Sequence, residues 1–295
     1  MDTYFTLVEE VLSNFPLECR KNYYENKKNL KINMEETVCE KIYGDYDHDE
    51  NIITLYRIEA LPHELFHMAF RDSKKVNRKI YDDCDMVYGN GVSFSTYCNE
   101  KKIIMAKGFT EGFAEYLSRK CSVYEGKTYQ YYFVDLLISI YGEDIVEYPL
   151  RNDPVGFFAD SRFLDISKIN IALDKLDTAS SGIILVSTFK DTINDVFKDG
   201  SVEDKTTFSK LIVSVRTDFK DSIVELFELM IDEYNHCKCP KISKEEFYQK
   251  MNMFLTDSRY SIAFVLDDKY FSISDELKMM FKKFRRKNKI RKRNI

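Results

Sequence analysis

The feature that most restricts the fold of this chain is a short segment, residues 61–70, with the sequence Leu-Pro-His-Glu-Leu-Phe-His-Met-Ala-Phe. Its apolar residues would cover a helix on almost every side, and helices of that kind lie in the interior of a protein. The segment nevertheless contains the polar side chains of His63, Glu64 and His67. Buried polar groups require partners, so the fold has to supply a partner for each of the three inside the core. A bound metal ion would satisfy all of them.

His63 and His67 have the spacing of two ligands to one metal ion. Residues i and i+4 lie on the same face of a helix, so both imidazole rings can reach one ion while Glu64 faces the same cavity. The chain of 295 residues contains only 4 histidines, which makes a chance His-Glu-X-X-His pattern uncommon. The pattern is typical of a zinc site with two ligands and a general base on one helix. The alternative is a solvated helix face on which a glutamate stands between two histidines.

Further candidates follow in residues 108–117, Gly-Phe-Thr-Glu-Gly-Phe-Ala-Glu-Tyr-Leu. Glu111 and Glu115 lie one turn apart on a predicted helix that has Thr110 as its cap. A catalytic zinc site has a third protein ligand, and a nearby carboxylate often accepts the N–H of a ligand histidine. We therefore expect Glu111 on the metal and Glu115 beside a ligand histidine, with Gly112 allowing a close approach to the first helix. A solvated acidic helix face is the alternative.

The motifs at residues 63–67 and 110–116, His-Glu-Leu-Phe-His and Thr-Glu-Gly-Phe-Ala-Glu-Tyr, resemble those of the gluzincin zinc metallopeptidases. This branch of the zincins includes thermolysin and the alanyl-type aminopeptidases. The resemblance implies a zinc (Zn²⁺) cofactor held by His63, His67 and Glu111. It also implies a peptide or protein as the substrate.

The same resemblance implies a role for two more carboxylates. Glu64 would be the general base that activates a zinc-bound water for hydrolysis of the peptide bond, and Glu115 would be an outer carboxylate that leans towards His63. Family members stabilise the charge on the carbonyl oxygen with a tyrosine or histidine from later in the chain. The candidates for that role are four tyrosines: Tyr129, Tyr131, Tyr132 and Tyr148. The Gly-X-Met-Glu-Asn segment of the aminopeptidases does not occur, which favours an endopeptidase.

The pattern of the whole chain predicts an α+β protein. The resemblance implies a zincin-like core, with a small mixed sheet and the active-site helices, in residues 1–150, and the helical pattern predicts a mainly helical region in 151–295. A strand at 52–56 is expected above the zinc-site helix, where it would pair with an extended peptide. The Asn-Gly within 87–94 predicts a hairpin or a tight loop. Helices are predicted over residues 2–14, 16–29, 61–70, 110–118, 128–141, 165–176, 188–198, 206–236, 243–256 and 274–288.

Charge is distributed unevenly along the chain. The formal net charge is -5, but residues 282–293 contain nine basic residues and no acidic one, so the remainder is strongly acidic. A basic tail indicates either a nucleic-acid or anionic-surface contact or a solvated helix end. It therefore supports an alternative function: a catalytically inactive zincin-like binding or regulatory protein that uses its tail for nucleic acid or an anionic surface.

Several other classes of protein and site are disfavoured. No apolar run approaches the ~18 residues of a membrane-spanning helix, and the acidic start of the chain lacks the basic region of a signal peptide, so we expect a cytoplasmic protein without a transmembrane segment. The 7 cysteines are an odd number, which favours reduced thiols over a disulfide framework. The His-Cys-Lys-Cys sequence at 236–239 lacks two further ligands at a matching spacing.

Overall fold

The computed structural model describes residues 1–36, 43–74, 79–81, 84–98, 101–121, 128–188, 195 and 197–256. Ten α-helices have both bounds in these ranges: α1 (Asp2–Leu12), α2 (Leu17–Lys27), α3 (Leu61–Phe70), α4 (Lys107–Arg119), α5 (Gln130–Tyr141), α6 (Glu147–Leu150), α7 (Pro154–Ala159), α8 (Ile166–Thr188), α9 (Val202–His236) and α10 (Lys244–Thr256). The strands are β1 (Lys31–Met34), β2 (Gly44–Asp47), β3 (Ile52–Leu55), β4 (Lys79–Tyr81), β5 (Cys84–Tyr88), β6 (Phe94–Cys98) and β7 (Lys101–Met105).

The seven strands form two small sheets. The first has the order β1-β3-β2, with β1 parallel and β2 antiparallel to β3, and is therefore mixed. The second is a meander, β4-β5-β6-β7, in which all neighbours are antiparallel. Together with the helices, the sheets give an α+β architecture, as the sequence pattern predicts.

Helix α3 is at the centre of the hydrophobic core. All of its residues are buried, and it packs against α1, α2, α4 and the first sheet. The buried Asn26 of α2 fixes its C-terminal end, because the side-chain amide donates to the carbonyl oxygens of Met68 at 3.0 Å and Arg71 at 2.7 Å. The carbonyl groups at the end of the helix thereby gain a partner in the interior.

Four local predictions are confirmed by the structure. Helix α3 begins at Leu61 and ends at Phe70, and the strand predicted at 52–56 is β3. The hairpin predicted within 87–94 joins β5 to β6. The helix predicted over 243–256 is α10, and its capping box is formed because Ser243 and Glu246 exchange hydrogen bonds.

Three helices have bounds that differ from the predicted ones by more than two residues. Helix α4 begins at Lys107 rather than at Thr110, and α8 continues to Thr188 without a break after residue 176. Helix α9 begins at Val202, because Ser201 accepts a hydrogen bond from the backbone N–H of Asp204 and so acts as the cap.

Parts of the predicted organisation lie outside the described residues. These include most of the helix predicted over 188–198, the helix predicted over 274–288 and the basic segment 282–293. The division near residue 150 stays a prediction, although α8 packs directly on α4 and residues of both parts belong to one core cluster. Within the described part of the chain, no helix combines the length and the apolar character that crossing a membrane requires.

Candidate metal centre

Helix α3 buries the three polar side chains that the sequence singles out. His63 and His67 are each 7% exposed and Glu64 is 4% exposed. The helix follows a 3₁₀ turn at Ile58–Ala60 and has Pro62 in its first turn, a position where proline does not interrupt helical hydrogen bonding. The two imidazole rings are therefore held on one face of a rigid, fully enclosed element.

Helix α4 supplies the carboxylate that faces these rings. The Oε2 atom of Glu111 lies 3.4 Å from Nε2 of His63 and 3.5 Å from Nε2 of His67. The two Nε2 atoms are 3.0 Å apart. The three side chains, two from α3 and one from α4, thus bring one potential ligand atom each to a common point, and they could hold a metal ion.

The spacing of these three atoms fits zinc. In a tetrahedral site with bonds of about 2.0–2.1 Å, the ligand atoms are about 3.3 Å from one another. The observed separations of 3.0, 3.4 and 3.5 Å bracket that value. Two imidazole nitrogens and one carboxylate oxygen also form the ligand set of a catalytic zinc site with one position left for water or substrate.

Glu115 lies one turn after Glu111 on α4 and is fully buried. Its Oε2 atom is 3.6 Å from Nδ1 of His63, and its Oε1 atom accepts a hydrogen bond from Nε of Arg119 at 2.9 Å. A carboxylate beside Nδ1 favours the tautomer that carries the proton there, which leaves the lone pair of Nε2 for a metal. The structure therefore brings Glu115 to His63, the histidine that the motif resemblance assigns to it.

Glu64 has an unusual environment for a carboxyl group. Burial raises its pKa to about 8, the negative charges of Glu111 and Asp45 act in the same direction, and His63 opposes them. Above it lies Gly44 of β2, where a Cβ atom would come within 2.9 Å of Glu64 Oε1. The missing side chain at position 44 therefore makes room for the carboxyl group.

The pKa of Glu111 is shifted in the opposite direction. Burial alone would raise it, but the charge of His67 and hydrogen bonds from both histidines outweigh burial and hold it well below its usual range. Glu111 is therefore an anion at neutral pH, as a metal ligand has to be, whereas Glu64 in the metal-free protein tends to keep its proton.

The cluster lines a cleft of about 280 Å³. Residues of β2 and of the turn that follows it also line the cleft, as do residues from 89–95. Strand β2 is an edge strand among the described strands, whereas β3 is paired on both sides. The expectation that the strand at 52–56 pairs with a peptide is therefore wrong, because its backbone groups already bond to β1 and β2.

Two smaller expectations about α4 are also wrong. Thr110 does not cap the helix; its hydroxyl donates to the carbonyl oxygen of Asn90 at 3.0 Å. Gly112 does not face α3, because a Cβ atom there would lie 2.4 Å from the side chain of Val134 on α5. Helix α4 therefore makes its close contact at this glycine with α5.

The four tyrosines proposed as oxyanion donors do not line the cleft as the described residues define it. Tyr129 and Tyr132 pack against aromatic rings of α9 and α10, Tyr131 lies under the guanidinium of Arg119, and the hydroxyl of Tyr148 donates to Asp160. These contacts indicate that the four tyrosines are packing residues and not oxyanion donors.

Lys107 and His48 also line the cleft, although the sequence motifs indicate neither of them. The side chain of Lys107 is 53% exposed, and its Nζ atom is 3.3 Å from the carboxylate of Asp177. His48 lies in the turn after β2 and contacts Asp49 at 3.4 Å. Lys107 stands one turn before Glu111, so the helical spacing was a usable signal; nothing local marks His48.

The described cysteines do not form a second metal site within the part of the chain that the structure covers. Cys19, Cys121, Cys237 and Cys239 are free. The thiol of Cys237 contacts the carbonyl oxygen of Ile140 at 3.9 Å. Within the residues that the structure covers, the group of His63, His67 and Glu111 is the one with the geometry to hold a metal.

Comparison with protein-family models, with curated proteins and with solved structures finds no match for this chain. Its function is therefore inferred from the chemistry of the cleft and of the ligand cluster.

Proposed function

We propose that this protein is a zinc-dependent peptidase with a zincin-like core, in which His63, His67 and Glu111 hold the metal and Glu64 is the general base. The observation that carries the proposal is the spacing of the three ligand atoms, 3.0–3.5 Å, in a cleft with a buried carboxyl group beside them. The His-Glu-X-X-His order on one helix supports the same assignment.

Zinc, when bound, supplies a Lewis acid and brings the pKa of a coordinated water close to 7. The remaining chemistry belongs to the chain. Glu64 accepts a proton from the attacking water and delivers it to the nitrogen of the departing amine. A base acts best when its pKa is close to the working pH, and burial moves the carboxyl group of Glu64 in that direction.

The substrate is expected to bind as an extended peptide along β2. An edge strand has unpaired backbone N–H and C=O groups, and a peptide in β conformation satisfies them. Gly44 at the start of β2 lies directly over Glu64, so a peptide on this strand would pass the base at short range. The backbone of β2 thus fixes the position of the scissile bond without selecting for one side chain.

Lys107 is the permanent cation of the described cleft and the candidate for stabilising charge on the carbonyl oxygen. It lies one turn from Glu111 and is tethered through Asp177, whose other oxygen accepts a hydrogen bond from Gln130 at 2.7 Å. A fixed positive group near the reacting carbonyl is more effective than a mobile one, because it needs no reorganisation during the reaction. His48 carries a charge only when protonated.

The proposal is tested by digesting a complex peptide mixture with the zinc-loaded protein and identifying new termini by mass spectrometry. The parent should cleave, and Glu64→Gln should keep its zinc but lose activity by roughly 10²–10⁴-fold, the usual contribution of a general base. Glu59→Gln is the matched control, because Glu59 is exposed and does not line the cleft.

Two results would overturn the proposal: a zinc-loaded parent that produces no new termini, or Glu64→Gln cleaving at the parental rate. Zinc binding without cleavage would favour the alternative, a non-catalytic zincin-like binding or regulatory protein. In that case, removal of residues 282–293 and a salt titration of nucleic-acid binding would show whether the basic tail acts, since phosphate contacts give a steep salt dependence.

A further inference from the structure

The helix that carries Glu111 begins without a local cap. Its N-cap residue is Ala106, whose side chain cannot accept a hydrogen bond and whose φ of 60° lies in the left-handed region that is unfavourable for alanine. The cap comes from α8 instead. Asp174 accepts the N–H of Ala106 at 2.9 Å through one carboxylate oxygen and the N–H of Gly108 at 3.0 Å through the other.

The two helices also touch at this point. A Cβ atom on Gly108 would lie 2.8 Å from the backbone carbonyl group of Leu173, the residue next to Asp174. Only glycine permits such a short distance between the backbones. The first turn of α4 is therefore fixed against α8 by two hydrogen bonds and a backbone contact.

Glu111 follows in the next turn of α4, and its carboxylate completes the ligand cluster with both histidines. The histidines belong to α3, so the relative position of α3 and α4 decides whether the three atoms meet. Metal sites tolerate deviations of only about 0.2 Å in ligand distance. A shift of the first turn of α4 would be transmitted to Glu111 along the helix.

We propose that Asp174 is a positioning residue for the metal centre: it sets the zinc affinity of the site by fixing the start of α4, although α8 contributes no ligand. This inference rests on the metal-binding part of the proposed function and not on peptidase activity. It assigns a role to the helical second half of the chain, because α8 holds Glu111 in position relative to His63 and His67.

The competing explanation is that Asp174 is an ordinary helix cap whose loss only lowers stability. The chain contains a matched control for it. Glu233 of α9 is a buried carboxylate that accepts the N–H of Leu164 at 3.0 Å and of Asp165 at 2.9 Å, at the start of α8. It makes the same kind of bond, but at a helix that carries no ligand.

The experiment measures zinc affinity by competition with a chelator, together with the visible spectrum of the cobalt-loaded protein and the thermal unfolding of the metal-free protein. Asp174→Ala should weaken zinc binding by roughly 10–100-fold, the range found for groups that orient metal ligands. Asp174→Asn keeps the shape of the side chain and one acceptor oxygen, so its zinc affinity should lie between those of Asp174→Ala and the parent. Glu233→Gln should lower the unfolding temperature while its zinc affinity stays within twofold of the parent.

Gly108→Ala provides a second variant that keeps the carboxylate but forces α4 away from α8. Like Asp174→Ala, it should weaken zinc binding, and it should change the visible spectrum of the cobalt-loaded protein. The inference is overturned if Asp174→Ala and Gly108→Ala bind zinc as the parent does, or if Glu233→Gln loses as much affinity as Asp174→Ala. A parent that binds zinc but cleaves nothing refutes peptidase activity alone, and a parent that binds no zinc refutes the metal centre and this inference together.

Discussion

The ionisation state of Glu64 differs between the folded and the unfolded metal-free chain within the range of ordinary pH. Burial raises its pKa to about 8, whereas a glutamate in an unfolded chain titrates near 4.3. Between these values the folded protein holds a proton that the unfolded chain has released. The free energy of unfolding contributed by this group therefore falls as the pH rises from about 4 to about 8.

Glu64→Gln should consequently stabilise the metal-free protein at pH 8. Glutamine has the shape of the protonated carboxyl group but does not titrate, so the free-energy cost of burying an ionisable carboxyl group at this pH disappears. We expect an unfolding temperature higher by roughly 5 °C at pH 8, corresponding to about 2 kcal/mol, and no difference near pH 4. Differential scanning calorimetry of both proteins after chelation measures this. A difference in unfolding temperature that is the same at both pH values would contradict the raised pKa of Glu64.

Lys107 should affect turnover rather than metal binding. Lys107→Met keeps the length of the apolar stem and removes the charge, so kcat should fall by roughly tenfold or more, with zinc affinity unchanged. Lys175→Met is the control, because Lys175 pairs with Glu225 at 3.2 Å on the surface of the same molecule, away from the cleft. A parental kcat in Lys107→Met would exclude Lys107 as the oxyanion donor.

The residues of the cluster were predictable from the sequence because helical spacing is local information. His63, Glu64 and His67 share one helix, and Glu111 and Glu115 share another, so each set shows its pattern within a few positions. The oxyanion donor was not predictable in this way. Which side chain lies near the cleft depends on how the helices and strands pack, which no local pattern shows. Tyrosine is also common in this chain, so the presence of a tyrosine at one position indicates little.

Strand β2 is the element whose position the sequence did not indicate. It is only four residues long and contains two aspartates and a glycine, which are unfavourable for strands. It pairs with β3 in an antiparallel register, Gly44 opposite Leu55, and this places its first residue above Glu64. Tertiary packing, not intrinsic propensity, makes this segment a strand.

Gly44→Ala should separate catalysis from metal binding. The added methyl group would meet Glu64 Oε1 at 2.9 Å and Ala60 Cβ at 3.3 Å, so either the base or the strand has to move. Peptide cleavage should fall by roughly tenfold or more, since small displacements of a catalytic group are costly, while zinc affinity stays within twofold. Unchanged cleavage would mean that β2 does not pass over the base.

The start of α4 was mispredicted for a related reason. Thr110 is a good cap in sequence, but the cap that operates is Asp174, which lies far along the chain on α8. Long-range caps leave no trace in a local pattern. The start of α10 was predictable because its capping box at Ser243 is local, whereas the start of α4 was not, because another helix provides the acceptor.

At the scale of the whole molecule, the two halves of the chain are joined by buried polar groups as well as by apolar packing. The carboxylate of Glu233 on α9 accepts hydrogen bonds from the start of α8 and from the hydroxyl of Tyr141 on α5. Hydrogen bonds to a buried charge contribute about 1.5–3 kcal/mol each. One residue of α9 thus links the start of α8 to the end of α5.

Glu233→Gln should lower the free energy of unfolding by roughly 2–4 kcal/mol, because a neutral amide accepts more weakly and brings a donor that has no acceptor at a helix start. If the described helices form one cooperative unit, chemical denaturation should show a single transition in both the parent and the variant. Two separate transitions would instead indicate that the mixed and helical regions unfold independently, as the division near residue 150 predicts.

The central claim is that His63, His67 and Glu111 hold one zinc ion. The most direct test is the zinc stoichiometry at equilibrium, measured by elemental analysis after dialysis against a fixed free zinc concentration. The parent and Glu64→Gln should each contain one zinc per chain, and Glu111→Ala and His63→Ala should contain far less than one. A parent that takes up no zinc, or a Glu111→Ala variant that binds it as tightly as the parent, would contradict the claim.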